Sequence, residues 1–297
     1  IEDFNVIVNH LIPLKKTGNL PGIDIIVAER SKDFITAFDD PLDIQYHTTG
    51  ITDIWIKDFA PLPARTCSQE IVYIKPVYSP SYLTKKEARM QHRAGCELGR
   101  IFNRELIPLP LVWDIGNLTH NGLGTGIVTK RIITDNPELT VKEIRKIFSS
   151  VLGINNLIIM NEEPGDLTGH VDGTVRFISH DTLAIAQYQS YMSSECRYID
   201  SIKKTIQKQA DIRIKFVDVP NALLCDAKTD VMYSAFGNHI NFLWVGSTIL
   251  IPVYNIPSDS EACSVISKYT KCSIVPVPVS TLSHYGGVLN CMTWRVY

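Results

Sequence analysis

The sequence predicts an α/β protein, and three observations carry the expectation. Short β-branched runs alternate with amphipathic helical patterns along the chain, no long Pro/Gly/Ser linker or low-complexity tract interrupts them, and 45% of the 297 residues are apolar. Alternation of this kind lays helices on sheets. The apolar content is enough for a large core, so one continuous domain over residues 1–297 is expected.

In chain order, strands are expected at residues 23–28, 70–77, 125–134, 156–160, 174–178, 182–187, 213–217, 248–252 and 272–278, where Val, Ile and Thr concentrate. Helices are expected at 85–102, 140–152, 195–209 and 258–268, and Thr140 with Glu143 three residues on reads as a capping box. The glycines at 122, 124 and 126 suggest half a phosphate loop, but no helix opens there and the Lys-Ser/Thr pair is missing, so a hairpin turn is expected. A faint period of roughly 55 to 65 residues, with a few strands and one helix in each, suits a closed radial arrangement as well as an open sheet.

Twenty-nine basic against 31 acidic residues leave a formal charge of -2, so no basic field exists to attract nucleic acid. The longest apolar stretch, 242–253, falls short of the ~20 residues that a membrane-crossing helix needs, and no membrane partner is expected. Cys67, Cys96, Cys196, Cys225, Cys263, Cys272 and Cys291 form no C-x-x-C pair and no disulfide framework, so reduced thiols are expected. The compartment expected is cytoplasmic, with a removed leader left open because the chain starts at Ile1. The sequon Asn117-Leu118-Thr119 carries little weight, since such tripeptides arise by chance. No H-E-x-x-H or Cys/His spacing is present, so neither a metal nor another cofactor is expected.

Three segments hold residues suited to chemistry. At 165–177 a Gly-rich polar turn feeds a strand, and in extended backbone His170 and Asp172, two apart, would face one pocket, pairing an imidazole with a carboxylate for proton transfer. A polar turn with a locally bonded histidine fits that segment equally well. At 53–61 an alternating run ends at Pro61, which puts Asp53, Trp55 and Lys57 on one face and Asp58 at a strand end. Alone, that is most simply a solvated terminus. At 284–294 paired glycines precede Cys291, a position where a nearby cation would lower the thiol pKa. Alone, a buried core thiol is the commoner reading.

Together, W-x-K-D-x-A-P at 55–61, D-x-G-N at 114–117, G-H-V-D at 169–172, Asn241-Phe242 and G-G-x-x-x-C at 286–291 resemble the agmatine deiminase and bacterial peptidylarginine deiminase family of guanidino-group-modifying enzymes. The resemblance runs from about Asp53 onward. It implies a five-bladed pseudosymmetric α/β-propeller of ββαβ units around a central axis, a small-molecule or peptide guanidinium substrate, and a homodimer. It also implies Cys291 as nucleophile, His170 as general acid and base, and Asp58 and Asp172 as carboxylates gripping the guanidinium. Trp55, Asp114, Asn117, Asp166 and Gly287 would line the substrate. Paired carboxylates suit a planar cation with paired N–H donors, whose charge favours the attacking thiolate. The expected reaction is hydrolytic deimination to a ureido product and ammonia through a covalent thiouronium on Cys291.

Lys57 stands where the family usually has Arg, Ala60 where it has Gly, Asp114-Ile115 where it has Glu-Gly, Val288 where it has Asn, and Asn290 where it has His. These departures leave agmatine, free arginine and peptidyl-arginine open as substrates. Amidino transfer, cleavage at the substituted nitrogen, a Cys-His-Asp amide hydrolase and a silent binder of arginine-like ligands are the competing readings.

Overall fold

The computed structural model describes residues 2–18, 20–29, 44–222 and 234–296, and Cys225 lies outside them. The chain opens with α1 (Glu2–Lys16), followed by a parallel pair, β1 (Asp24–Ala28) and β2 (Gln45–Thr49). Four units of one plan follow. The first is α2 (Ile56–Phe59), β3 (Leu62–Arg65), β4 (Ile71–Val77), α3 (Lys85–Ile101) and β5 (Leu106–Val112). The second is β6 (Thr119–His120), β7 (Thr125–Thr129), α4 (Arg131–Thr134), α5 (Val141–Leu152) and β8 (Asn156–Met160). The third is β9 (Val175–Phe177), β10 (Thr182–Gln187), α6 (Ser193–Gln209) and β11 (Lys215–Pro220). The fourth is β12 (Leu243–Val245), β13 (Thr248–Val253), α7 (Ser258–Ser267) and β14 (Ser273–Pro278), closed by α8 (Ser280–Ser283).

In every unit the first two strands pair antiparallel and the third returns, after a helix, parallel to the second. The α/β expectation therefore holds as four ββαβ units and one two-stranded parallel sheet. The middle strands are the most deeply buried, β7 throughout and β10 in all but its last residue. A helix regularly covers the outer strand of the preceding sheet: α3 lies on β2, α6 on β8 and α7 on β11. The same relation joins the two ends of the chain, because α1 lies on β14 and Ile7 packs in one cluster with Leu250, Val277 and Leu289.

Side-chain amides lace neighbouring units together. Asn136 accepts from the Val112 N–H and donates to the Val112 carbonyl, both at 2.8 Å, as a paired strand would, at the end of β5. Gln209 does the same for Ile159 on β8, accepting at 3.2 Å and donating at 2.8 Å.

Several expectations need correction. The run 125–134 is a strand only to Thr129, whose hydroxyl donates to the Gly169 carbonyl at 2.6 Å and accepts from the Arg131 N–H, starting α4. The run 53–61 is not a strand. Asp53 Oδ1 accepts from the Trp55 N–H at 3.3 Å, the turn continues as α2, and Ala60 leaves it in extended backbone before Pro61. β11 lies later than expected, at Lys215–Pro220. The hairpin at 121–124 joins β6 to β7 as expected. Both Thr84 with Glu87 and Thr140 with Glu143 form capping boxes.

Candidate active site

The polar side chains singled out in the sequence meet in one buried cluster, each delivered by a connection rather than by a strand interior. Asp58 comes from α2, Asp114 and Asn117 from the link between β5 and β6, His170 and Asp172 from the link between β8 and β9, and Cys291 from the segment after α8. His170, Asp172, Asp58, Asp114 and Cys291 are all at most 8% exposed.

His170 sits between two carboxylates. Its Nε2 lies 3.1 Å from Asp114 Oδ2 and its Nδ1 3.7 Å from Asp58 Oδ1. Burial works against a charged ring, but Asp58 and Asp114 outweigh it and hold the imidazole pKa up at about 10. Asp58 pays the corresponding cost: burial lifts its carboxyl from 3.8 to about 8, with His170 opposing and Asp114 and Asp172 adding to the rise. Its Oδ1 has no hydrogen-bond partner. Asp114 Oδ2 also accepts from the Tyr82 hydroxyl at 2.9 Å, which fixes the carboxylate against the ring.

His170 and Asp172 do not pair across a pleat as the spacing suggested. The backbone at 170–174 turns, with the Thr174 N–H bonded to the Val171 carbonyl, and β9 begins only at Val175. Asp172 is turned instead to Cys291. Its Oδ2 lies 4.0 Å from Sγ and accepts from Asn290 Nδ2 at 2.5 Å. Asn241 Oδ1 receives the consecutive N–H groups of Asn290 and Cys291 at 3.1 and 3.3 Å, fixing the backbone that carries the thiol. Burial, then Asp172 and Asp58, push the Cys291 thiol well above its ordinary value, so the unliganded site holds the neutral thiol at neutral pH.

The residues expected at the substrate divide. Trp55 packs on Gly287, where a Cβ would stand 2.7 Å from the indole, so only glycine admits that ring. Asp166 spends both oxygens on its own loop, Oδ1 on the N–H and hydroxyl of Thr168 and Oδ2 on the His170 N–H at 3.1 Å. Asn117 Oδ1 accepts from the Thr129 N–H at 2.8 Å, while its Nδ2 has no partner. Both sit as supports of the cluster. The sequence reading gave no role to Gly116, Tyr82 or Asn290. A Cβ on Gly116 would lie 2.6 Å from both Asp58 Oδ1 and His170 Nδ1, a closeness that no single-residue signal announces. Among the described residues no group of three or more His, Cys, Asp or Glu is arranged to hold a metal ion.

The family model described as Porphyromonas-type peptidyl-arginine deiminase matches residues 20–296. The chain belongs to this family. Among curated relatives, an agmatine deiminase of Pseudomonas putida is 22% identical over 211 residues, covering 61% of this chain and 56% of the relative. The chain thus spans just over half the length of the curated relatives it matches. Among solved structures, C. jejuni agmatine deiminase superposes with a TM-score of 0.79 at 17% identity, over 97% of this chain and 86% of that one. Agmatine deiminase of Enterococcus faecalis gives 0.79 at 16% identity, over 94% and 84%. These likenesses establish a shared mixed α/β fold. No helix among the described residues is long and apolar enough to cross a membrane.

Proposed function

We propose that the chain hydrolyses the guanidinium group of an agmatine- or arginine-like substrate to a ureido product and ammonia, with Cys291 as nucleophile. The observation that carries this reading is the convergence of a thiol, an imidazole set between two carboxyl groups, and a further carboxyl group on the thiol, all in one buried space. Family membership supports it.

A guanidinium is permanently charged and planar, and Asp58 and Asp172 offer acceptors to its edge N–H groups. Its charge adds to the positive field at the thiol. Asp58 and Cys291 then release their protons to solvent, and the Cys291 thiolate attacks the guanidinium carbon. His170 is already protonated and passes a proton to the departing amino group, which leaves as ammonia. The ring, now neutral, takes a proton from water. The resulting hydroxide attacks the thiouronium carbon, the C–S bond breaks, the added hydroxyl loses its proton to solvent, and the ureido product and thiolate separate.

The covering of β14 by α1 supports a further part of the reading, that the five sheets stand around one axis as a five-bladed ring, with the inter-unit connections at its centre. A single catalytic domain follows from it.

The test is ammonia and ureido-product formation by wild type and Cys291→Ala over agmatine, arginine and peptides with internal or terminal arginine. Turnover in the wild type, lost at least ~10³-fold in the variant, is expected on at least one of them. Alkylamine release in place of ammonia, or equal turnover by the variant, would sink the proposal.

A further inference from the structure

Beside Cys291 and Asp172 lies a second group of charges that the proposed chemistry leaves unused. Arg176, on β9, and Arg295, near the end of the chain, both reach the free edge of β12. Arg176 donates from Nη1 to the Phe242 carbonyl, with its guanidinium carbon 4.4 Å from the centre of that ring, and Arg295 donates from Nη2 to the Trp244 carbonyl. Carbonyls two residues apart on a strand point the same way and lie about 7 Å from each other, so the two guanidinium groups are held side by side. Lys57 joins them from α2, whose backbone N–H at that residue bonds the Cys291 carbonyl at 3.1 Å. His120, at the end of β6, feels the charges of all three.

Each guanidinium has five N–H donors and gives one bond to the described protein. None of Lys57, Arg176 and Arg295 is in an ion pair among the described residues. Asp172 is the carboxylate that acts on both Lys57 and Arg176, and it is already bonded by Asn290. Among the described residues, Lys57 and Arg176 share the one carboxylate of Asp172 with Arg295 beside them, which leaves positive charge in excess, an arrangement that costs stability unless an anion answers it. The strain shows in the groups themselves: burial, and then the neighbouring cations, hold Lys57 down at about 8.

We propose that the pocket formed by Lys57, Arg176 and Arg295 binds a small oxyanion or carboxylate next to Cys291. The guanidinium pair supplies parallel N–H donors and Lys57 a point charge, a donor set suited to two or three oxygens on one centre. The anion has two sources, a free ion such as phosphate or the carboxylate of an arginine-type substrate. The inference rests on the placement of charge and stands apart from the deiminase reading.

The test uses the Cys291→Ala protein, so that binding is read without turnover. Inorganic phosphate is titrated by calorimetry against sodium chloride at matched ionic strength. Saturable one-to-one binding is expected, weakened at least ~10-fold in Arg176→Gln and in Lys57→Met. Lys57→Met removes no side-chain hydrogen bond and carries the comparison where Arg176→Gln fails to fold. Phosphate binding no tighter than chloride, or unchanged in the folded variants, overturns the site. Arginine and agmatine are then added to the phosphate complex. Displacement by arginine alone assigns the pocket to a substrate carboxylate, displacement by neither assigns it to a free anion, and displacement by agmatine, which has no carboxylate, overturns the proposal.

Discussion

Asp58 and His170 each bind a proton more tightly in the folded chain than their ordinary values allow, Asp58 rising from 3.8 to about 8 and His170 from 6.5 to about 10. A group whose folded pKa is raised contributes stability that is present at low pH and lost as pH climbs through the folded value. Asp58 therefore loses its share between pH 3.8 and about 8, and His170 between 6.5 and about 10. Urea unfolding followed from pH 6 to 10 is expected to show a falling midpoint. Asp58→Asn should flatten that fall and move the His170 ring titration down by about one unit or more, because burial then faces Asp114 with less help. A ring titration unmoved by the substitution, read by NMR, would show that Asp58 does not hold the imidazolium. Of this cluster, Cys291, His170, Asp172 and Asp58 were singled out in the sequence by the order of the family-like motifs that hold them, since taken one at a time their residue types admit plainer readings. Gly116 and Asn241 act through what they leave room for or hold still, and that depends on neighbours distant in the chain.

At the scale of elements, the middle strands and the helices α3, α5, α6 and α7 were readable because their periodicity comes from burial on one or both faces, whereas α1, with Pro13 inside it, was not expected. β5 was not, since Pro108 and Pro110 break a strand pattern; it lies at the edge of its sheet, where missing N–H groups are tolerated. α2 was read as a strand because four residues are too few to show a helical period, and the Asp53 turn that starts it is a local bond. Asn136 shows what such local bonds are worth between elements. It is fully buried, bonds both backbone groups of Val112 and also donates to the Ile132 carbonyl at 2.8 Å. Asn136→Ala strands those groups and is expected to cost about 2–4 kcal/mol, read as a lower urea midpoint, with kcat within about twofold of wild type since Asn136 touches none of the cluster. A loss below about 0.5 kcal/mol, no more than a surface change gives, would mean that water replaces the amide at little cost.

For the whole molecule, unit repetition was faintly visible as a period, but which helix covers which sheet was not, because that relation links segments of different units. The relation matters most where it joins α1 to β14. Ile7 is 3% exposed within the cluster of Leu250, Val277 and Leu289, and Asp3 Oδ2 accepts from the Leu282 N–H at 2.5 Å. Ile7→Ala is expected to cost about 2–4 kcal/mol while leaving the His170 titration in place. A shifted titration would show that the seam reaches the cluster.

That seam also orders events in time. During synthesis α1 emerges well before Leu250 and Val277, which belong to the fourth unit. Until they arrive its apolar face has nothing to cover, and a contact so distant in sequence forms slowly once they do. A helix made before its partners is thus among the later elements to find its place, and until it docks its apolar face is a surface on which chains can associate.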